Sequence, residues 1–515
     1  MKSASSTMSY LELLKLVAPE TIVVITALAV LAIGLATSRA RSSATIPFNA
    51  APDARDKPVA ARMPFAVALL GLAISTSAVL MLPNHIALFG GMLVITPLTS
   101  LFKIISLALA FFTVLISTSE KARRDAGEYL ALVLFATVGL MLLVGSEELL
   151  MIFIGLELLG LSLYVMTAFD KTDVRSAEAG LKYFLFGSTS SAFTLFGISL
   201  IYGMSGTTSL AAISEKLATA TVQPLLAVGI VMTLIGFAFK IAAAPFHLWA
   251  PDAYQAAPVP SAAFIASGSK VASFVVLGKI VLVGFAPVHG SAAWHAMAAG
   301  WSPVLAALAA LSILVGNIVA LGQRNVRRLL AYSAVAHTGY TLIGIVAGNR
   351  DGFSAALFYA TIYAITLVGA FGIVGMVRRE TGGDDIANFS GLFLRSPLLT
   401  GCMSIFLLSL AGIPPLAGFF GKFYLFSAAL RAGGSYGLLW LVAVALFGSF
   451  ISLYYYLMVL KAIFVDEPLL RAALKVDVVA PDLLARTAIA LLAAAVLLVG
   501  LAPAILTTPI LAALE

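Results

Sequence analysis

Apolar runs long enough to cross a lipid bilayer recur along the whole sequence, and they constrain the fold more than any other feature. Of the 515 residues, 61% are hydrophobic and only 11% are charged, whereas soluble domains carry roughly 25% charged residues. About 20 helical residues span a bilayer core, and only a helix or a closed barrel satisfies its own backbone there. The sequence therefore predicts an all-α, polytopic membrane protein that forms a single integral membrane domain over residues 1–515.

We count about fourteen transmembrane segments. Their approximate bounds are 18–37, 63–82, 98–118, 128–146, 149–168, 178–203, 223–246, 258–285, 302–322, 329–348, 353–377, 396–430, 436–460 and 483–505. The segment 396–430 is too long for one straight span, and Pro414-Pro415 divide it near its middle because proline interrupts helical hydrogen bonding. Polar stretches are expected at 39–62, 204–222 and 461–482, and we assign no role to the first of these.

The lysines and arginines orient the segments. Twenty of these 31 residues fall in or beside every second loop, starting with the first, and five fall on the opposite side. Short cytoplasmic loops carry the excess of basic residues. The pattern therefore predicts that both termini face away from the cytoplasm.

The most informative stretch runs from Thr233 to Phe274, where two apolar segments flank a proline-rich connector. Each segment carries one lysine, Lys240 or Lys270, at a depth where a charge is costly and needs a partner, water or a function. Pro245 removes a helical hydrogen bond close to Lys240. An interrupted helix that carries a buried charge is typical of an ion site in a transporter.

A second interruption suggests an internal duplication. The breaks at Pro245 and Pro414-Pro415 lie five spans apart, so the two broken helices are expected to cross the membrane in opposite directions. This is the topology of inverted repeats. We expect two five-helix repeats at about 128–285 and 302–460, with flanking helices at about 18–118 and 483–505.

Other ionisable residues lie within apolar segments. Glu157 is isolated in the middle of the fifth span, where it either carries a function or locks two helices together through a buried lysine. Lys182 lies near the start of the next span, and both a functional role and snorkelling to the interface remain open. Lys103 and Lys279 are expected to snorkel. The hydroxyl-rich run 187–191 favours close helix packing and has groups that orient water.

Three more residues complete the candidate set. Lys422 follows the double proline in a glycine-rich broken helix and ranks with Lys240. His247 follows Pro245, and His337 lies in an otherwise apolar helix; each is either a hydrogen-bonded core residue or a proton carrier. None of the buried cations is an arginine, which would stay protonated, so the choice of lysine favours proton traffic over a fixed counter-ion.

Other classes of site have no support in the sequence. There is no glycine-rich phosphate loop, no dinucleotide fingerprint and no cysteine or histidine cluster for a metal, an iron–sulfur cluster or haem. The net positive charge of the chain is explained by basic loops that orient the protein in the membrane, rather than by nucleic-acid binding. Any redox chemistry that drives this protein is expected on another chain, and this chain is expected to hold no cofactor or metal.

Six motifs make the sequence resemble the antiporter-like membrane subunits of respiratory complex I over nearly its whole length. They are FIGLELLGLSLY around Glu157, AGLKYFLFGS around Lys182, GFAFKIAAAPFHLWAPDAYQAAP around Lys240, SGSKVASF around Lys270, RNVRRLLAYSAVAHTGY around His337 and LAGIPPLAGFFGKFYLF around Lys422. The resemblance is greatest to the subunit N type. The type M subunit typically has a glutamate where this chain has Lys422, and the type L subunit continues into a long lateral helix.

The resemblance implies fourteen core helices, two inverted repeats and one proton channel per subunit. It implies that Glu157 pairs with Lys182, that Lys240 and Lys270 form the central relay with His247 beside them, and that Lys422 is the terminal lysine towards the periplasm. It also implies partners, namely the antiporter-like subunit M and small membrane subunits such as K and J. The parent complex would carry FMN, iron–sulfur clusters, NADH and quinone.

Three alternatives remain open from the sequence. The first is a cation/proton antiporter subunit of the Mrp type or the matching subunit of a membrane-bound hydrogenase, which share these motifs. Sodium would favour extra buried carboxylates, and protons fit the lysine-rich set better. The second is a structural subunit whose buried charges only hold helices together. The third, a stand-alone solute carrier, would need a polar substrate pocket beyond the relay residues.

Overall fold

The structure is a computed structural model that describes residues 2–3, 10–43, 58–118, 125–219, 223–432, 437–467 and 482–515. Much of the predicted polar stretch 39–62 and most of 461–482 therefore lie outside the described residues. The chain is almost entirely helical in the described part. A small sheet of three short strands, β1 (Lys2–Ser3), β2 (Ile86–Leu88) and β3 (Leu93–Ile95), was not expected from the sequence.

The described residues of the first part of the chain form nine helices. They are α1 (Tyr10–Leu16), α2 (Ala18–Ser43), α3 (Pro58–Leu80), α4 (Pro97–Ser117), α5 (Ala126–Gly145), α6 (Leu149–Thr167), α7 (Val174–Ser205), α8 (Leu210–Thr219) and α9 (Pro224–Lys240). Several begin at a polar cap: Thr96 accepts a hydrogen bond from the Thr99 amide at the start of α4, and Asp173 caps α7 in the same way. These side chains satisfy amides that have no partner inside the helix.

The middle of the chain contains the short helices α10 (Trp249–Ala256), α11 (Val259–Ala266) and α12 (Gly268–Lys279), and then a π-helical turn, Ile280–Gly284. The connector expected near Asp252 is thus itself helical. The predicted span 258–285 is divided at Ser267, which has non-helical torsion angles. The Ser267-Gly268 pair explains this division, because serine–glycine pairs are common sites of helix kinks.

The second part of the chain supplies the remaining helices. They are α13 (Trp301–Leu321), α14 (Val326–Val346), α15 (Arg350–Thr381), α16 (Leu392–Arg395), α17 (Pro397–Ala411), α18 (Ala417–Arg431), α19 (Leu439–Phe464), α20 (Leu483–Leu501) and α21 (Ala504–Ala513). The break expected at Pro414-Pro415 is confirmed, since α17 ends and α18 begins on either side of it.

Twelve helices in the described residues are long and apolar enough to cross a membrane. The other two predicted spans contain the shorter apolar helices α9 and α17, each of which ends at a break. The prediction of an all-α, polytopic membrane protein is confirmed. The helical stretches Val259–Gly284, Val326–Val346 and Arg350–Thr381 are almost wholly buried, whereas most residues of α2 and α7 are not buried. The centre of the molecule is therefore a helical core that carries Lys270 and His337.

Candidate functional site

The interruption after Lys240 is stabilised by side chains from other helices. Helix α9 ends at Lys240, and the irregular segment that follows leaves backbone groups without helical partners. The Trp249 indole donates to the Phe239 carbonyl (3.1 Å), and the Ala244 amide donates to the Ser312 hydroxyl (2.9 Å). Buried backbone groups need such partners, so the surrounding helices stabilise this interruption. The prediction of a broken helix near Pro245 is confirmed, because α9 ends at Lys240 and does not continue to the proline.

Glu157 and Lys240 line one small cavity between α6, α7 and α9. The cavity offers about 20 Å³ for the position of a water molecule, and the Lys240 residue is only 6% exposed. The Ser191 hydroxyl donates a short hydrogen bond to the Glu157 carboxylate. Within the part of the chain that the structure describes, no hydrogen bond or ion pair is found for the Lys240 ammonium. A buried ammonium next to a carboxyl and a cavity is suited to proton exchange.

Lys270 is held by helix α14 and is linked to the break after Lys240. Its ammonium donates to the Ala334 carbonyl (2.6 Å) and to the Thr338 hydroxyl (3.0 Å). That hydroxyl donates in turn to the carbonyl of Ile241 (2.7 Å), the residue that follows Lys240. The side chain of Lys270 is therefore two hydrogen bonds away from the interrupted backbone.

His337 occupies the centre of a group of tyrosines that we call the tyrosine cage (Tyr340, Tyr359, Tyr363 and Tyr456). Nδ1 of His337 lies 2.7 Å from the Tyr359 hydroxyl, and Nε2 lies 3.0 Å from the Tyr456 hydroxyl. The ring also stacks against Tyr363, with 4.8 Å between centroids. Both ring nitrogens thus have a hydroxyl partner, which is the arrangement that a proton shuttle requires.

The tyrosine cage also reaches the two neighbouring lysines. The Lys270 ammonium lies 5.5 Å from the Tyr363 ring centre, and the Lys422 ammonium lies 5.1 Å from the Tyr340 ring centre. Lys422 donates to the Ala411 carbonyl (3.0 Å) and to the Ser449 hydroxyl (2.8 Å). The structure therefore brings Lys270, His337 and Lys422 against one buried group of tyrosines.

Lys182 does not pair with Glu157, contrary to what the family resemblance implied. Its ammonium forms ion pairs with Glu178 (2.7 Å) and Asp252 (3.0 Å), and 43% of its side chain is exposed. Glu178 is one helical turn away on α7, and α10 brings Asp252 to the same place. Lys182 therefore lies at the edge of the molecule, and its carboxylate partners are on the side of the basic loops.

A wide cavity of about 600 Å³ adjoins Lys182 and Asp252. Arg328 donates to Asp252 (2.9 Å) and to Gln255 (3.1 Å) at the base of this cavity. Burial favours the neutral form of Asp252, but the hydrogen bonds from Arg328 and Lys182 outweigh it and hold the pKa of this carboxyl below its ordinary value. Asp252 is thus a carboxylate, fixed between two cations.

His247 is buried close to the break. No hydrogen bond joins it to Lys240 among the described residues. Its ring lies 6.2 Å from that of Tyr332, and Arg328 lies 5.9 Å from the same tyrosine ring. Nδ1 of His247 has no hydrogen-bond partner among the described residues. The structure thus places His247 in the segment between α9 and α10, near a tyrosine ring that Arg328 also approaches.

The expectation that Lys103 and Lys279 snorkel to an interface is wrong. Lys103 is 4% exposed and forms an ion pair with Glu20 (2.7 Å). Lys279 is 3% exposed, donates to the Val144 carbonyl (3.0 Å) and lies 3.4 Å from Glu147. Both lysines lie near the ends of predicted spans, and the sequence does not show that carboxylates from other parts of the chain lie beside them.

Sequence reasoning also missed the tyrosine cage and Thr338. Their residue types are common in apolar helices. Only the packing of α14, α15 and α19 shows that the hydroxyls of Tyr359 and Tyr456 meet His337, and that the hydroxyl of Thr338 meets Lys270. A signal for Ser191 did exist. Gly187, Ser190, Ser191 and Thr194 follow the i, i+3, i+4, i+7 spacing of one helix face, and all four line the cavity beside Glu157.

The described residues contain no group of three or more His, Cys, Asp or Glu side chains arranged to hold a metal ion. The candidate site is instead a series of buried lysines, one glutamate, two histidines and several hydroxyls. Such a series can pass protons, since each member is either ionisable or a hydrogen-bonding hydroxyl.

Comparison with known proteins places this site in a family. Residues 146–452 match the family described as NADH:quinone oxidoreductase/Mrp antiporter, transmembrane. The chain is 47% identical to NADH-quinone oxidoreductase subunit N 2 of Acidobacterium capsulatum, over 88% of this chain and 92% of that protein. A further subunit N, from Desulforamulus reducens, is 40% identical over 78% of this chain and 82% of that protein.

A chain in the solved structure of respiratory complex I from Thermus thermophilus has a similar fold. The two chains are 31% identical, with a TM-score of 0.73 over 95% of this chain and 98% of the other. The subunit N relatives favour the complex I assignment over the Mrp-type alternative, which has the same fold. The chain therefore belongs to the family of antiporter-like membrane subunits of NADH-quinone oxidoreductase, within the group that contains subunit N, and it is a membrane subunit of a multisubunit complex.

Proposed function

We propose that this chain translocates protons across the membrane through Glu157, Lys240, Lys270, His337 and Lys422, with Lys182 and His247 on the path that leads to them. The observation that carries the proposal is the buried chain of contacts from Lys270 to Lys422 through the tyrosine cage. It joins two lysines that lie at separate helix breaks.

The proposed mechanism depends on the cost of burying a charge. A buried lysine releases its proton when no negative partner is near and regains it when a carboxylate approaches. Glu157 supplies such a carboxylate for Lys240, since both line the same cavity. A change in the charge of Glu157 would then shift a proton from Lys240 towards Lys270, and from there through His337 to Lys422.

The wide cavity next to Asp252 is the proposed entrance. It lies beside the loops that carry most of the basic residues, which we assign to the cytoplasmic side. His247, in the segment that follows the break after Lys240, would take the proton from this side. Lys422 would then be the last lysine before the periplasmic side, and both termini would face the periplasm of the bacterial inner membrane.

The two broken helices support the proposal of inverted five-helix repeats. Each repeat would contain one interruption, after Lys240 in the first and before Lys422 in the second. We place the repeats at about 128–285 and 302–460. Inverted repeats position ion sites near the middle of the membrane, where interrupted helices offer free backbone groups.

The energy for transport would come from the parent complex. FMN, iron–sulfur clusters, NADH and quinone would be bound by other chains, and the antiporter-like subunit M and the small subunits K and J would be neighbours of this one. The many apolar side chains exposed on α6 and α7 would then face lipid or these partners. Charge movement in a neighbouring subunit would reach this chain at the partly exposed Glu157.

The test uses Lys240→Ala in the assembled complex, in sealed membrane vesicles. NADH-driven quinone reduction and acidification of the vesicles are recorded together, and assembly is checked on a native gel. The expected result is an assembled complex in which both activities fall. Lys216→Ala, a change at an exposed lysine, is the matched control and should leave both near wild type. If Lys240→Ala also leaves both near wild type, the proton-relay proposal is wrong.

A further inference from the structure

The cavity between Glu157 and Lys240 is built by one face of each of three helices. Helix α6 contributes Glu157, α9 contributes Lys240 as its last residue, and α7 contributes a face of small and hydroxyl-bearing residues. The members of that face are Gly187, Ser190, Ser191 and Thr194. The glycine is needed for close packing, because a Cβ at Gly187 would lie 2.0 Å from the Tyr164 hydroxyl oxygen.

The three hydroxyls of this face have different partners. Ser190 donates to the Gly236 carbonyl (3.3 Å), and Thr194 donates to the carbonyl of Ser190 (2.9 Å). These two hydroxyls are therefore occupied by backbone. Only Ser191 donates to an ionisable group on this face, and that group is the Glu157 carboxylate. A hydrogen bond to a carboxylate fixes its rotamer and also changes the balance between its charged and neutral forms.

Lys240 supplies the second observation. The residue is only 6% exposed, and it borders the cavity. Its ammonium has no hydrogen-bond or ion-pair partner among the described residues. Leaving such a group without a partner is costly. A polar cavity needs about 10–15 Å³ to hold one water molecule, and this one offers about 20 Å³.

We propose that this cavity is a binding site for a single water molecule between Glu157 and Lys240, and that Ser191 is the positioning residue that aims the Glu157 carboxyl at this water. This proposal rests on the proton-relay function above and specifies how its first step occurs. The water gives a proton to the neutral amine of Lys240 while it takes one from the Glu157 carboxyl. The products are a carboxylate, an ammonium and an unchanged water molecule.

The role of Ser191 is tested in the assembled complex with Ser191→Ala and Ser191→Thr. The first change removes the hydroxyl and the second keeps it. Proton pumping should fall about tenfold in Ser191→Ala, as expected for the loss of a hydrogen bond to a charged group, and should return to within about twofold of wild type in Ser191→Thr. Ser188→Ala is the control, because that hydroxyl is exposed and bonds only to the Phe184 carbonyl of its own helix.

A spectroscopic measurement separates positioning from a structural role. The infrared carboxyl band of Glu157 is identified as the band lost in Glu157→Gln. Its C=O stretch should move to higher frequency in Ser191→Ala and stay in place in Ser188→Ala, because only Ser191 donates to this carboxyl. A band that does not move in Ser191→Ala would overturn the role of Ser191, whatever that variant does to activity.

The water is tested in the wild-type complex, so this test does not depend on any variant folding. A cryo-electron microscopy map that resolves ordered water should show density within hydrogen-bonding distance of both the Lys240 ammonium and the Glu157 carboxylate. A direct contact between these two groups, with no density between them, would overturn the proposal.

If Glu157→Gln and Lys240→Ala reduce pumping but Ser191→Ala does not, only this inference fails. If none of the three changes matters, the proposed function fails too.

Discussion

Lys240 and Lys422 both lie beside an interrupted helix, yet their surroundings differ. Lys422 donates to a backbone carbonyl and a serine hydroxyl, and its ammonium faces a tyrosine ring. Lys240 shares a cavity with a glutamate, and no direct partner of its ammonium is found in the described part of the chain. A carbonyl, a serine hydroxyl and a tyrosine ring keep their own charge when the lysine gains or loses a proton. A carboxyl and a water molecule, in contrast, can exchange a proton with the lysine. The comparison suggests that the first break is where a proton is loaded and the second is where it is held.

His337, which lies between the two breaks, has partners that differ from those of Lys240 and of Lys422. Around His337 the partners are tyrosine hydroxyls on α15 and α19 that meet both ring nitrogens. Hydroxyls both donate and accept, so they pass a proton in either direction. The comparison therefore gives each region a separate task, namely loading at Lys240, transfer at His337 and holding at Lys422.

The largest effect is expected for His337→Phe, which keeps an aromatic ring but removes both nitrogens. Proton pumping should fall about a hundredfold, the usual size of an effect on general acid–base transfer. The same change at the exposed His295 is the control. Pumping is measured as acidification of sealed vesicles at a matched amount of assembled complex. Normal pumping by His337→Phe would mean that the proton bypasses the tyrosine cage.

Lys103→Met should act on stability instead. The change leaves Glu20 buried without its cation, which costs about 3–5 kcal/mol, so the complex should melt at a lower temperature and assemble poorly. The double variant Lys103→Met with Glu20→Gln should recover most of this loss. Thermal denaturation of the purified complex measures both. A single variant with wild-type melting would show that this pair does not stabilise the fold, and lost pumping in a fully stable double variant would show that the pair belongs to the relay.

Thr338→Val tests the link between Lys270 and the first break. Valine has nearly the same shape but cannot accept from Lys270 or donate to the Ile241 carbonyl. Pumping should fall about tenfold, in line with a hydrogen bond to a charged group worth about 1.5–3 kcal/mol. Thr361→Val is the matched control, since that buried hydroxyl bonds only to the Leu357 carbonyl of its own helix. Equal rates in the two variants would remove Thr338 from the path.

Asp252→Asn should have the smallest effect at neutral pH. The change removes the negative partner of two partly exposed cations, and exposed ion pairs contribute little, so pumping should change by less than about twofold. The pKa of Asp252 is held below its ordinary value, so any contribution of this carboxylate is lost only when the pH falls through that lowered pKa. A pH profile of the variant that differs from wild type at neutral pH would contradict this assignment.

The helices and both breaks were predictable because apolar length and proline chemistry act locally. Hydrophobic runs located the spans, Pro245 and Pro414-Pro415 located the interruptions, and lysines in apolar segments marked the relay. The break at Ser267 was missed, because a serine–glycine pair is a weaker signal than proline. Its effect depends on close packing, since a Cβ at Gly268 would lie 2.9 Å from Leu140.

Partners of the buried charges were harder to predict. Lys103 and Glu20 come from different helices, as do Lys182 and Asp252, and no local pattern pairs them. The resemblance suggested Lys182 as the partner of Glu157, whereas the packing of α6 and α9 around α7 places Glu157 and Lys240 on one cavity instead. The identity of each buried charge could be read from the sequence, but its partner depends on the packing of the helices.

The variant Lys270→Arg distinguishes a buried lysine that carries a proton from one that supplies only a fixed positive charge. Arginine keeps the positive charge and can still donate to Ala334 and Thr338, but it does not release its proton. The measurement is NADH-driven acidification of sealed vesicles that contain the assembled complex. The account predicts assembly near wild-type levels with pumping reduced at least about tenfold. Wild-type pumping by Lys270→Arg would contradict it, because a fixed cation would then be sufficient.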